Sequence, residues 1–503
     1  MSELLFEVYS EEIPALLQEE AAQKMATLLV DNLISYGISV EVKAFSTPRR
    51  IGFAIFNLPT SISIPSEEIR GPRLNANPMA IEGFLRKYSC SKEQLIIKND
   101  CYFFQIPAKV IDIKQHLAGQ LNELLTTYTW PKSMRWGEHL KTWIRPIKSM
   151  IALLDGHIIP VTYGEITAQD TTFGHRFMSY TPIKVASFAD YQQKLKEHNV
   201  DIYHASRREL IREEAIKKAT ELGAKLIEDE LLLNEIAGLV EKPFIHVGQI
   251  DELFMSLPRE VLVITLKHHQ RYLMLEDGQG ELSRYFIIIA NINAKDGGQK
   301  IVEGNTKVLK ARLFDAKYFY DRDVKIPLED RLEMLKKVVY HERVGSVYQK
   351  SQQSKELAGR LAADLNLDVT LAERAALLAK ADLVSEMVKE FPELQGVMGG
   401  YYATAQNEHE EVAIAIREHY KPQGPNDSLP SRKIAAVTAL ADKFDNLNSL
   451  FSIGIKPTGS KDPYAQRRAA LGILRIIKEF AFQLDLANYL IPEAQAFVEG
   501  KDS

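Results

Sequence analysis

The hydrophobic and polar positions of the first sixty residues change period three times. Residues 4–9 (LLFEVY) alternate enough for a strand, residues 15–36 place apolar side chains at helical spacing, and residues 40–45 return to a strand pattern. Thr47-Pro48-Arg49-Arg50 closes that strand, and an apolar run resumes over residues 51–56. This order predicts a β-α-β opening of an α+β module. Mixed patterning continues, with helices over residues 79–88 and 110–127 and short strands over residues 102–106 and 158–163. A charged helical stretch over residues 190–223 separates one module from the next. Residues 262–266 and 285–289 read as paired strands around a turn at residues 276–280. From about Asn305 glycines thin out and Leu, Ala and charged residues recur at helical spacing, interrupted at Pro327, Pro392, residues 422–430 and residues 457–463. The expected fold is α+β and multidomain. An α+β body module covers residues 1–190, a mixed α/β module residues 191–304, and a helical domain residues 305–503.

Composition narrows the class. The chain is 46% hydrophobic and 26% charged, an ordinary balance for a soluble globular protein, and 503 residues exceed what one core usually serves. A net charge of −5 excludes a uniformly basic nucleic-acid coat but leaves room for local basic stripes. The two cysteines, Cys90 and Cys101, form no CxxC pair, which fits a reduced compartment and no zinc ribbon. The opening MSELLFEVYSEEIP is acidic where a leader would be basic. Apolar runs such as residues 285–292 fall well short of the ~20 residues of a membrane helix. A cytoplasmic protein with no membrane contact is expected.

The richest segment chemically is residues 453–475, IGIKPTGSKDPYAQRRAALGILR. Pro457 and Gly459 break a helix, Asp462 can cap the next one, and Pro463 suits its first position. Lys456, Lys461, Arg467 and Arg468 then surround a helix N-terminus, a natural seat for a nucleic-acid phosphate. The alternative is a capped surface helix whose Ala469, Leu471, Ile473, Leu474 and Ile476 pack on a core. A second basic segment, WPKSMRWGEHLKTWIR at residues 130–145, interleaves all three tryptophans with Lys132, Arg135, Lys141 and Arg145. Such aromatics can stack on bases while the cations meet phosphates, or they can be core anchors with basic neighbours. TTFGHRF can present His175 and Arg176 from a turn in the same way, with a structural histidine the favoured alternative. The adjacent imidazoles of KHHQRY (residues 267–272), read as strand, point to opposite faces and do not share a metal. Residues 305–323 read as a packing helix, with Val308, Leu309, Leu313 and Phe319 inward and Lys307, Lys310, Arg312 and Lys317 wet.

In the helical part, Ala379-Lys380-Ala381-Asp382, Glu418-His419-Tyr420 and Ala441-Asp442-Lys443 are spaced on separate helices as in the HD phosphohydrolase arrangement. That chemistry needs a His-Asp pair among several ligands on a divalent metal. Ala381 stands where the paired histidine would be, so metal hydrolysis is disfavoured and no metal site is expected. The sequence also contains no GxxxxGK[ST] loop, no GxGxxG after a strand and no GxSxG elbow.

Four groups of segments together resemble the β-subunit family of the bacterial heterotetrameric glycyl-tRNA synthetases. They are LLFEVYSEEIPALL with FSTPRRIGF; WPKSMRWG with WIRPIKSMIALLDG; KHHQRYLML with GNTKVLKARLFDAKYFYDRD; and KADLVSEMVKEFPELQGVMGGYYA with ALADKFDNLNSLFSIGIKPTGSKDPYAQRRAALGILRI. The match extends from Leu4 to about Ile476. The resemblance implies an α2β2 glycine–tRNA ligase in which the α subunit holds the site for glycine and ATP, with its Mg, and β binds tRNA(Gly). No cofactor would then be bound by this chain, and no catalytic residue would lie in it. The resemblance further implies a degenerate HD domain, to which Ala381 conforms, and makes Lys456, Lys461, Arg467, Arg468, Lys132, Arg135 and Arg145 candidate tRNA contacts. Family members usually continue into a helical anticodon-binding domain, which this sequence, ending at Ser503, is expected to lack. The competing readings are an HD-type metal-dependent phosphohydrolase and a scaffold subunit that never touches RNA.

Overall fold

The computed structural model describes residues 2–138, 140–459 and 461–492. The polar tail at residues 493–503 lies outside the described residues. Two compact units emerge: residues 1–249 with 271–305, and residues 250–270 with 306–503.

The first unit is built on a five-stranded antiparallel sheet in which Ser2–Ser10 is central. It pairs with Ile147–Leu154 on one side and Arg50–Leu58 on the other, with Glu41–Thr47 and His157–Ile158 at the edges. Alternate residues of the central strand serve two cores. Leu4, Phe6 and Val8 pack with Met25 and Leu29 of the helix Ala15–Ser35 and with Leu117 and Leu121 of Ile113–Thr127. Leu5 packs on the opposite face with Phe45 and with Phe188 and Tyr191 of the helix Phe188–Glu197. Burial on both faces is why LLFEVY is almost continuously apolar rather than cleanly alternating. In FSTPRRIGF, a Cβ on Gly52 would lie 2.4 Å from the Phe6 carbonyl oxygen and 2.5 Å from the Phe45 ring, so only glycine fits.

The polar residues of these strands form a buried charge network. Glu7 and Arg50 are fully buried, with Arg50 Nε 3.2 Å from Glu7 Oε2. Arg50 also pairs with Glu241 and donates to the Phe173 carbonyl. Thr172 Oγ1 (2.7 Å) and the Tyr191 hydroxyl donate to Glu7, while Thr47 Oγ1 donates to Glu241 at 2.9 Å. Burial pushes the Glu7 carboxyl above its usual range although Arg50 pulls it down.

A second sheet of this unit orders Lys225–Leu226, Leu273–Glu276, Leu282–Ala290 and Phe244–Gln249. Here the structure departs from the sequence reading. The hairpin partner of Leu282–Ala290 is Leu273–Glu276, whereas residues 262–266 are helical: Arg259–Ile264 is an α-helix continued by a π-helical turn, Thr265–His269. A short run of Val, Ile and Thr fits either state by periodicity alone, and here Pro258 and Glu260 start a helix. The two histidines of KHHQRY therefore sit on a helical turn, with His269 stacked on Phe391 at 5.4 Å. The helix expected from residue 110 starts at Ile113, because Lys109–Asp112 pairs with Ser61–Ile64 and Asp112 caps the helix through Gln115 N.

The second unit is helical apart from the short hairpin Val339–His341/Gly345–Ser346. Its centre is Lys433–Ser452, buried on nearly every face because Val347–Asp364, Val369–Leu378, Glu410–Glu418 and Gln466–Glu479 all pack on it. That encirclement explains its run of small and apolar residues, AAVTALA, between polar ends. Among the described residues no helix is long and apolar enough to cross a membrane.

Candidate functional site: a lysine-lined cavity beside a basic corner

The basic corner forms, but differently from the sequence expectation. After Lys433–Ser452 the chain turns, and Thr458 and Lys461 exchange backbone hydrogen bonds of 3.0 and 2.9 Å. Helix Gln466–Glu479 begins only after Ala465, which takes a left-handed φ of 56°, so Pro463 precedes the helix instead of opening it. Asp462 does serve the helix start, and it consumes it: its two carboxylate oxygens accept from Gln466 N and Arg467 N, each at 2.9 Å. The first-turn N–H groups expected to face an anion are thus partly occupied by the chain's own carboxylate. Arg467 is also engaged, donating to the Thr458 carbonyl at 3.0 Å. Lys456, Lys461 and Arg468 are exposed. Ala469, Ala470, Ile473 and Ile476 face inward, whereas Leu471 and Leu474 of the expected packing face are exposed.

Arg468 and Ala469 line a cavity of about 360 Å³ within this unit, together with Lys350, Lys380, Asp442 and Lys443. Helix Val347–Asp364 supplies Lys350, the end of Val369–Leu378 leads into Lys380, and Lys433–Ser452 supplies Asp442 and Lys443. The three lysines are buried, each about 6% exposed. Asp442 Oδ1 lies 3.2 Å from Lys350 Nζ and 3.1 Å from Lys380 Nζ. Lys350 reaches Asp445 as well, at 2.6 Å. Lys380 rests on the Tyr420 ring, 3.7 Å from its centroid, and Lys443 donates to the carbonyls of Tyr420 (3.2 Å) and Lys421 (2.9 Å).

Electrostatics follow from that crowding. Burial, reinforced by Lys350 and only partly offset by Asp442, pulls the Lys380 ammonium down to about 8. Lys443 falls to about 8 for the same reasons, with Lys380 and Lys350 both adding to the effect. Burial alone would raise Asp442, but Lys350, Lys380, His419 and Lys443 hold its carboxyl far below the usual range.

The three HD-type positions do not converge as a ligand set. Asp382 is turned to the backbone, where its Oδ2 accepts from Gly396 N (2.6 Å) and Gly399 N (3.0 Å), and burial raises it to about 6. His419 is fully buried with Nδ1 2.6 Å from the Ile416 carbonyl, and burial keeps its ring from taking a second proton. Asp442 alone faces the cavity, and its neighbours there are ammonium groups. The sequence marks these segments by their acids and their missing histidine, not by their lysines. Lys380 and Lys443 stand close to two of those acids, the one signal available; Lys350 carried none.

The second basic segment belongs to the first unit. Trp143 is fully buried and Trp130 packs against it edge-on at 5.3 Å, so these rings are core anchors. Trp136 is partly buried against the same core. Lys132 and Arg135 are exposed, while Arg145 is half-buried and folds back to the Ile144 carbonyl at 2.8 Å. His175 is structural as expected: fully buried, it accepts from Phe177 N and Met178 N and meets Asn291 Oδ1 at 3.0 Å.

Comparison with known proteins completes the picture. Residues 4–501 match the family model described as glycyl-tRNA synthetase beta subunit. A glycine–tRNA ligase beta subunit of Phenylobacterium zucineum is 43% identical over 503 residues, spanning 99% of this chain and 75% of that protein. The protein of the same description from Rickettsia akari is 40% identical over 98% of this chain and 74% of its own length. That from Rhodospirillum centenum is 40% identical over 100% of this chain and 76% of its own length.

Proposed function

The chain belongs to the glycyl-tRNA synthetase β-subunit family, and from that premise we propose that it binds tRNA(Gly) and positions it for glycine attachment in a partner α subunit. The observation that carries this reading is the exposure of Lys456, Lys461 and Arg468 on one short corner next to a cation-lined cavity. Lys132 and Arg135 of the first unit offer further exposed cations for the RNA backbone. Phosphate contacts of this kind fix register and orientation without reading sequence. Catalysis then arises from placement. Holding the terminal ribose hydroxyl against an activated glycine makes a bimolecular step effectively unimolecular. ATP and glycine are consumed in the α subunit, where Mg would also sit, and the assembly is α2β2 in the cytoplasm. The helical unit is a degenerate HD domain.

Lysines are what separate this reading from HD-type hydrolysis. Lys350 and Lys380 ammonium groups flank Asp442, the position where a metal would have to bind, and like-charge repulsion there opposes a divalent cation. A scaffold without RNA contact is tested by binding. The affinity of the chain, alone and with the α subunit, is measured for tRNA(Gly) across salt concentrations. Lys456→Ala with Lys461→Ala should weaken binding and flatten the log–log salt slope by roughly two, about one per lost phosphate contact. An unchanged slope would remove the corner from the interface, and no tRNA binding under any condition would favour the scaffold.

A further inference from the structure

The cavity of the helical unit holds more positive charge than its own residues neutralise. Lys350, Lys380, Lys443 and Arg468 line it, against Asp442 at the wall and Asp445 behind Lys350. Lys350 is satisfied by both carboxylates. Lys380 shares Asp442 with it, and Lys443 donates to two carbonyl oxygens and makes no ion pair among the described residues. Asp382 is committed to backbone N–H groups and Glu418 to Lys421 and Ser431, so neither pairs with a cavity lysine; Asp382 acts on Lys380 and Asp427 on Lys443 only as the last of the influences on each. Burying an ammonium without a carboxylate of its own is costly, and an apolar side chain at the same position would avoid that cost. Four cations facing two carboxylates is the complement of a dianion.

Shape narrows the class. A space of about 360 Å³ is far larger than the ~30 Å³ share of a water molecule and falls at the small end of ligand pockets. Tyr340 and Tyr420 also line it, their rings beneath the Lys350 and Lys380 ammonium groups, and Leu383 and Pro422 add apolar surface. A phosphate monoester carries close to two negative charges at neutral pH and three acceptor oxygens. We infer that the cavity is a binding site for the phosphoryl group of a phosphate monoester of mononucleotide size. Lys380, Lys443 and Arg468 contact its oxygens, and the apolar lining at Leu383 and Pro422 meets its organic part. Asp442 and Lys350 are positioning residues that hold Lys380 at the wall. The site shares Arg468 with the tRNA reading above but rests on the charges of the cavity itself: the phosphate comes either from a free nucleotide or from the 5′ end of an RNA.

The test titrates the full chain by calorimetry with 5′-AMP, inorganic phosphate and adenosine at pH 7. It adds tRNA with and without its 5′-phosphate, with AMP as competitor. The expected result is heat with AMP and phosphate but not adenosine, and AMP affinity about ten- to a hundredfold weaker in Lys443→Met and in Arg468→Ala. Arg468 is exposed, so its variant folds even if the buried Lys443→Met does not; circular dichroism checks both. If RNA is the source, removing the 5′-phosphate weakens tRNA by a similar factor and AMP competes; if a free nucleotide is, tRNA affinity ignores both changes while AMP still binds. The inference is overturned if neither AMP nor phosphate binds at millimolar concentration and tRNA affinity ignores its 5′-phosphate. It is equally overturned if AMP binds both variants as tightly as the parent.

Discussion

Replacing Arg50 with methionine isolates the buried charge network of the first unit, because it keeps most of the side-chain volume and removes the cation. Arg50 serves two carboxylates at once, Glu7 and Glu241, and all three side chains are at most 2% exposed. Without it, Glu7 retains only the neutral donors Thr172 and Tyr191, and Glu241 retains Thr47. Breaking one buried pair costs about 3–5 kcal/mol, and two stranded carboxylates place this case near the top of that range. With a urea m-value of about 3 kcal/mol/M, a loss of about 4–5 kcal/mol moves the unfolding midpoint down by roughly 1.5 M. All three tryptophans, Trp130, Trp136 and Trp143, lie in this unit, so intrinsic fluorescence reports its unfolding selectively. The pH dependence supplies a second check. Burial already raises Glu7, and removing Arg50 takes away the main opposing influence. A carboxyl whose folded pKa lies above its unfolded value binds its proton more tightly when folded, so stability falls as pH rises through that window and returns on acidification. The deficit of Arg50→Met should therefore shrink between pH 7.5 and 5.5, and adding Glu241→Gln should recover part of it. A loss under about 1 kcal/mol, or a deficit equal at both pH values, would refute the reasoning.

Lys380 and Lys443 are both lowered to about 8, against an ordinary value of 10.5. The unfolded chain thus binds more protons between these values, and the helical unit should gain stability as pH rises from 7 to 9.5, by about 1–2 kcal/mol per lysine. Hydrogen exchange in Lys433–Ser452 measures this, and Lys380→Met should remove about half of the gain; a flat profile in the parent would count against these lowered values. Asp382→Ala should strip the acceptor from Gly396 N and Gly399 N and destabilise the helix Val397–Ala405 by about 2–4 kcal/mol. Asp382→Asn, which keeps a carbonyl, should cost clearly less, and equal exchange rates in the two variants would contradict that assignment.

Much of the fold was legible because its periods are strong. The opening strand, the helix that became Ala15–Ser35 and the strand that became Glu41–Thr47 followed from apolar spacing. Residues 262–266 did not, since a run of five mostly β-branched or aliphatic residues fits strand and helix equally, and only Pro258 and Glu260 before it marked the helix. At the corner, Asp462 was recognisable as a helix-capping residue. What the sequence hid was the left-handed Ala465, which moves the helix start beyond Pro463 and lets Asp462 take the N–H groups assigned to a ligand. The cavity was the least visible feature. Lys350, Lys380 and Lys443 come from separate segments, and only the packing of their helices around Lys433–Ser452 brings their charges together.

The central claim is that this chain makes a partner's chemistry productive on tRNA. Purified chain, purified α subunit and their mixture are each given glycine, ATP and tRNA(Gly), and the formation of glycyl-tRNA is measured. The account predicts glycyl-tRNA in the mixture alone, reduced when Lys456 and Lys461 are both alanine. Equal glycylation by the α subunit without this chain would contradict it.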